Sequence, residues 1–172
     1  MASTAVASGK STLAHRLAGC FEQSAIIHMD DFYKLPPQRQ ADDPNGQMPG
    51  GDYDIPRLKA EVILPLLASK PGHYYRNDWQ SDELIDDGEI MPHGVIIVEG
   101  CYSLIQELRS LMHIKIFVKC IMETRLRRGL ERDGEGALSF WQNWMAAEDR
   151  YITLQSPETA ADYIIDGELS YD

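Results

Sequence analysis

The chain has 172 residues, 44% of them apolar and 25% charged, which suits one globular domain with a sizeable core. Its net charge of −11 argues against a general nucleic-acid or anionic-membrane surface, both of which call for a basic face. No apolar run approaches the roughly 18 residues of a membrane span, no signal peptide is expected, and Cys20, Cys101 and Cys120 show no metal-ligand spacing, so reduced thiols in a cytoplasmic protein are expected.

Only Met1 to Val6 precede the first motif, which leaves room for a short first strand. The motif is Ser8-Gly9-Lys10-Ser11-Thr12, followed at once by Leu13, Ala14, Leu17, Ala18 and Phe21 at helical spacing, with Gly19 near the helix end. This is the second half of a phosphate-binding P-loop, in which backbone N–H groups of the loop and the helix start converge on phosphate oxygens. Lys10 would reach the β- and γ-phosphates and the Ser11 hydroxyl would ligate Mg²⁺. The complete motif begins with a glycine where this chain has Thr4, so the loop is incomplete.

Ser24 to Met29 reads as a buried strand with Asp30-Asp31-Phe32-Tyr33-Lys34 at its carboxyl edge, where ligands of open parallel sheets bind. On an extended segment two adjacent side chains point opposite ways. Only one aspartate then faces a phosphate, and Asp30 is the choice for the base that accepts a hydroxyl proton. Loop carboxylates that cap nearby N–H groups are the plain alternative. Residues 35–53, rich in Pro, Gly, Asp and Gln, read as a long loop. Asp54 can cap a helix with Pro56 in its first turn, running through Val62, Ile63, Leu66 and Leu67 to about Ser69, with a kink at Pro65. Residues 71–79 read as a turn and a short aromatic strand, paired with Glu83 to Met91 as a hairpin. Tyr74, Tyr75, Asp78 and Trp79 there form an aromatic and acidic patch that either holds a base and sugar hydroxyls or packs the hairpin on the sheet.

Gly94 to Gly100 is the clearest buried strand, four β-branched residues before a lone Glu99, which suits a metal or its water shell, or a cap for the next helix. A short helix from Tyr102 to Arg109, a strand from His113 to Val118 and a basic helix from Met122 to Arg132 follow. Arg125, Arg128 and Arg132 share one face of that helix. Guanidinium forks bind phosphate bidentately, so they could close over a donor nucleotide; a solvated charge stripe is the other reading. After Gly134 and Gly136 comes a long helix ending before Pro157, whose Trp141, Trp144 and Met145 read as core. Ala161 to Asp166 closes the series as a strand. Alternating strands and helices predict parallel βα units in a three-layer α/β/α sandwich. The five histidines show no metal spacing and none is given a role.

Gly-Lys-Ser-Thr, then Asp-Asp-Phe-Tyr-Lys, Tyr-Asp-Ile-Pro-Arg-Leu, Tyr-Arg-Asn-Asp-Trp, Val-Ile-Ile-Val-Glu-Gly and Arg-Leu-Arg-Arg-Gly-Leu-Glu-Arg-Asp occur in this order over roughly residues 7–166. The series resembles the uridine kinase-like branch of P-loop small-molecule kinases. The resemblance implies a P-loop NTPase fold with a mainly parallel sheet and ATP-dependent, Mg²⁺-assisted transfer to a hydroxyl of a nucleoside or ribose-like acceptor. It implies Asp30 as base, with Lys10 and Arg128 completing the catalytic set. Ser8 to Thr12 with Arg125, Arg128 and Arg132 would hold the nucleotide, and Ser11 and Glu99 the metal. Asp30, Asp54, Tyr75 and Trp79 would meet the acceptor. One kinase domain is implied, with residues 35–53 and 71–92 on the acceptor side and 122–136 as a lid-like helix. The chain departs from the family in its truncated first strand and missing loop glycine, and in lacking the His and Phe pattern of a true uridine kinase acceptor region. A nucleotide-binding module without phosphotransfer is therefore the alternative, and a homo-oligomer is compatible with either.

Overall fold

The computed structural model describes residues 2–3, 7–42, 48–78 and 80–169, with the backbone alone at 2, 3 and 40–42. Thr4 and Trp79 lie outside the described residues. The strands in chain order are β1 (Ala2–Ser3), β2 (Ser24–His28), β3 (Gly72–Asp78), β4 (Glu83–Ile90), β5 (Val95–Gly100), β6 (Ile116–Lys119) and β7 (Tyr163–Asp166). The α-helical elements are α1 (Lys10–Ala18), α2 (Pro36–Asp42), α3 (Ile55–Leu58), α4 (Leu64–Leu67), α5 (Gln106–Arg109), α6 (Met122–Asp133), α7 (Leu138–Gln155) and α8 (Pro157–Ala160). The β-branched runs pair into one parallel sheet ordered β2-β5-β1-β6-β7, and β3 and β4 form a separate antiparallel hairpin. This is the predicted α/β arrangement. Its central strand, β1, is two residues long and lies between β5 and β6.

Parallel pairing sets the site. Strands β2 and β5 run in register from Ser24 opposite Val95 to His28 opposite Glu99. Their carboxyl ends are therefore level, and β2 passes directly into a single 3-10 turn, Met29–Phe32, that carries both aspartates. The core gathers beside this edge. Met29, Phe32, Leu58, Val62, Leu104, Leu108 and Trp141 are all buried, and Phe32 stacks on Tyr74 with ring centroids 5.1 Å apart. Trp141 and Met145 are core residues, as their spacing suggests.

One local expectation needs correction. The long loop of 35–53 contains α2, which starts at Pro36-Pro37, where missing N–H groups cost nothing. The backbone N–H of Leu35 donates to Oε1 of Gln38 at 3.2 Å and closes the first turn. The helix after Asp54 runs without interruption from Ile55 to Leu67, past Pro65. It widens into a π-helical stretch, Lys59–Ile63, between α3 and α4, and Pro65 falls in the first turn of α4. A wider turn before proline relieves the clash of its ring with the preceding carbonyl and absorbs the lost hydrogen bond.

Candidate active site

The loop before α1 presents an anion cradle. Gly9 caps the helix in the left-handed region with φ 93°, and no side chain caps the helix start. A side chain at position 9 would be strained at that angle. No acidic side chain lies in the first turn either, so the free N–H groups and the positive end of the helix dipole face the loop. Ser8 is fully buried beneath. A cleft of about 370 Å³ opens here, lined by Gly9, Lys10, Ser11 and Thr12. Arg128, Arg132 and Gly167 line it too. Arg128 donates from Nη1 to the Gly167 carbonyl at 2.8 Å, and a Cβ on Gly167 would come within 2.5 Å of the Ser8 carbonyl oxygen. Gly167, unnoticed in the sequence, thus sits directly against the loop.

The arginine helix divides. Arg132 forks onto Asp133 at 2.8 and 3.0 Å and lies over the Trp141 ring, at the cleft. Arg125 is buried at 4% exposure, does not line the cleft, and pairs with buried Glu148 of α7 at 2.9 Å. Its expected place among the nucleotide-facing arginines is corrected. The three share one helix face, as predicted, but seven residues along an α-helix is about 10 Å of rise. Arg125 in the first turn of α6 is drawn onto Glu148 of α7, while Arg128 and Arg132 in the later turns line the cleft.

Ser11 Oγ donates to Glu99 Oε2 at 3.1 Å, and Glu99 Oε1 meets His28 Nδ1 at 2.5 Å. Burial alone would raise the Glu99 carboxyl, but the His28 hydrogen bond and the Lys10 charge hold it below the usual range. Burial likewise opposes the Lys10 ammonium, yet Cys101, Glu99, Asp30 and Glu148 around it raise its pKa on balance. The cradle lysine is thus kept charged by the carboxylates around it, Glu99 and Asp30 among them. His28 was given no role by its sequence, because only the register of β2 against β5 places it across from Glu99.

Its hydrogen bond to Glu99, against some burial, raises the His28 pKa above 6.5 in the folded chain. The native state then holds a proton that the unfolded chain has released, so stability from this pair is full below about pH 6.5 and falls as pH rises through the folded value. Urea unfolding from pH 6 to 9 is expected to show that decline, and His28→Gln to flatten it. An identical slope in the variant removes His28 as the source.

Asp30 and Asp31 lie on the 3-10 turn rather than on an extended segment, yet they diverge as expected. Asp30 is exposed, and its Oδ1 accepts from Tyr53 Oη at 3.2 Å. Asp31 turns to the hairpin, where Tyr74 Oη lies 3.3 Å from its Oδ2 and 2.7 Å from Oδ2 of Asp87. Burial, with Asp87 adding to it, pushes the Asp31 carboxyl up. Asp54 caps α3 by accepting from the Arg57 N–H at 3.0 Å. Arg57, also missed in the sequence, joins the turn after β2, the start of α3 and the hairpin strand β3. Its guanidinium donates to the carbonyls of Asp31 and Tyr75, lies 3.6 Å from Asp54 Oδ2 and covers the Phe32 ring.

The aromatic and acidic patch of β3 is not one surface. Tyr74 is buried and Tyr75 exposed, because neighbours on a strand face opposite sides. Asp78 instead accepts from the N–H and hydroxyl of Ser81 in the hairpin turn.

Sequence comparison follows the same lines. Uridine-cytidine kinase A of Dictyostelium discoideum is 32% identical over 137 residues, 74% of this chain and 26% of that protein. A uridine kinase of Lactobacillus helveticus is 31% identical over 142 residues, 73% of this chain and 63% of that protein. Over about three quarters of its own length the chain is similar to these uridine kinases. It spans about a quarter of the first relative and 63% of the second. No protein-family model matches it. A solved structure described as a "possible uridine kinase" from Bacillus stearothermophilus superposes with a TM-score of 0.72 at 19% identity, covering 96% of this chain and 86% of that one. At that identity the likeness speaks for the fold, a P-loop kinase fold. Among the described residues, no helix is long and apolar enough to cross a membrane, and no cluster of three or more His, Cys, Asp or Glu could hold a metal.

Proposed function

We propose that this chain transfers the γ-phosphoryl group of ATP to a hydroxyl of a nucleoside or ribose-like metabolite. The observation that carries this reading is that Lys10, Arg128 and Arg132 line one cleft with the uncapped start of α1, where Ser11 is hydrogen-bonded to Glu99. Phosphoryl transfer needs positioned cations, and little covalent chemistry from the protein. Asp30 accepts the proton of the acceptor hydroxyl, the acceptor oxygen bonds to the γ-phosphorus, and the bond to the departing ADP oxygen breaks. Lys10, Arg128 and Arg132 stabilise charge spread over the moving group.

The donor set fits Mg²⁺. Ser11 offers a hydroxyl, and ionised Glu99 accepts from it, a hard-oxygen pair suited to an ion that keeps most of its ligands as water and phosphate. Ser11 would hold the ion directly and Glu99 through its shell, and Mg²⁺ would neutralise phosphate charge. Asp54 and Tyr75, both tied to Arg57, and the segments 35–53 and 71–92 form the acceptor side in this reading, with Trp79 assigned there by resemblance. A cytoplasmic setting supplies both ATP and nucleosides.

The test is ADP release over a nucleoside panel with MgATP, beside ATP binding by thermal shift. Acceptor-dependent ADP release is expected. ATP binding with no ADP release for any acceptor would instead favour a nucleotide-binding module, which Thr4 in place of the loop glycine motivates.

A further inference from the structure

Asp30 sits on a one-turn 3-10 helix that has no side-chain cap, and its carboxylate is exposed. A base so placed has little to hold its angle. Among the described residues, the hydrogen bond that reaches its carboxylate comes from Tyr53 Oη, at 3.2 Å to Oδ1. Tyr53 is unlike its partner, being only 3% exposed. Its ring is wedged between Tyr33, edge-on at 5.0 Å, and Tyr102, tilted at 5.3 Å. Its backbone is tied to the segment just after Asp30 by the bridge between Tyr33 and Tyr53. Hydrogen bonds from Lys34 N–H to the Asp52 carbonyl at 2.8 Å and from Asp54 N–H to the Phe32 carbonyl at 2.7 Å flank that bridge. The phenol is thus a fixed donor aimed at a carboxylate that is otherwise free to swing. Burial above all, with the Asp30 charge adding, pushes the phenol far up, so it stays protonated and can only donate to that oxygen.

We propose that Tyr53 is a positioning residue for Asp30: its hydroxyl holds one carboxylate oxygen so that the other is presented to the acceptor hydroxyl. The inference rests on the kinase reading for its consequence, and on geometry for the tether itself. A tether of this kind acts on the reacting geometry and not on ground-state binding, so its loss falls on kcat. Tyr53 does not touch the cleft that holds the cradle. Its removal therefore leaves nucleotide binding alone.

The experiment is Tyr53→Phe, which deletes the hydroxyl and keeps the ring between its two neighbours. Expected is a fall of about tenfold in kcat, with KM for MgATP within about twofold of the unmodified chain. In an Asp30→Asn background the same substitution is expected to have no further effect on kcat, because the group it positions is gone. Independently of turnover, the carbon-13 resonance of the Asp30 carboxyl is expected to move in Tyr53→Phe. Should that variant not fold, Asp30→Asn gives the same reading from the other end, since the Tyr53 Cζ resonance must move when its acceptor changes from carboxylate to amide. An unchanged kcat, a loss that survives in the Asp30→Asn background, or unmoved resonances overturn the proposal. A chain that phosphorylates no nucleoside yet shows both resonance changes overturns the kinase reading and upholds the tether.

Discussion

Asp30→Asn is expected to lower kcat with any nucleoside acceptor by about 10²- to 10⁴-fold, the range associated with a positioned general base. The lower end is the better expectation, because a loose phosphoryl-transfer transition state draws only part of its stabilisation from proton removal. The substitution is nearly isosteric at an exposed position, and the asparagine carbonyl can still accept from Tyr53. The fold and the cradle should therefore survive. Lys10 loses one of the charges that hold it protonated but keeps Glu99 and Glu148. ATP binding by thermal shift is accordingly expected to persist while ADP release collapses. Turnover at the unmodified rate would remove Asp30 as the base and leave the acceptor proton to another group.

Glu148→Gln is expected to be the most damaging single change for stability, at about 3–5 kcal/mol in urea unfolding. Glu148 and Arg125 are both buried, and their contact at 2.9 Å is the charge partner of the guanidinium. Nε of Arg125 is buried with no hydrogen-bond partner, so the ion pair carries more of the cost of burying that cation than a fully bonded arginine would require. Neutralising one side leaves the other charge uncompensated. Against a typical total of about 5–15 kcal/mol, such a loss leaves the domain marginal. The double replacement Arg125→Met with Glu148→Leu removes both charges and is expected to cost far less than the single one. Equal losses would show that shape, and not charge pairing, matters at this contact.

The same pair shows why a correct pattern in the sequence led to a wrong placement. Arginines at 125, 128 and 132 do share a helix face, but which turn of that face meets the cleft depends on where α7 crosses α6. Tyr74 and Tyr75 make the opposite case. The two-residue period of a strand, visible in the chain, already separates them, and their joint reading as one patch overlooked it. The π-helical widening before Pro65 lies between these cases. Proline announces a disturbance, but not that it takes the form of a wider turn among the buried Leu58, Val62 and Ile63.

What the sequence determined by itself is whatever one stretch of chain can express alone. The loop and helix start at Gly9-Lys10-Ser11, the β-branched run ending in Glu99, the aspartates after β2 and the capping of α3 by Asp54 all follow from neighbours a few residues apart. The tertiary structure alone decided which of these meet. Ser11 and Glu99 are 88 residues apart, His28 and Glu99 71, and Tyr53 and Asp30 23. In a parallel sheet, strands remote in the chain become neighbours through crossovers, and their register is set by packing of the whole core. No local pattern encodes it, so His28, Tyr53, Arg57 and Gly167 entered the site only once the sheet had placed them.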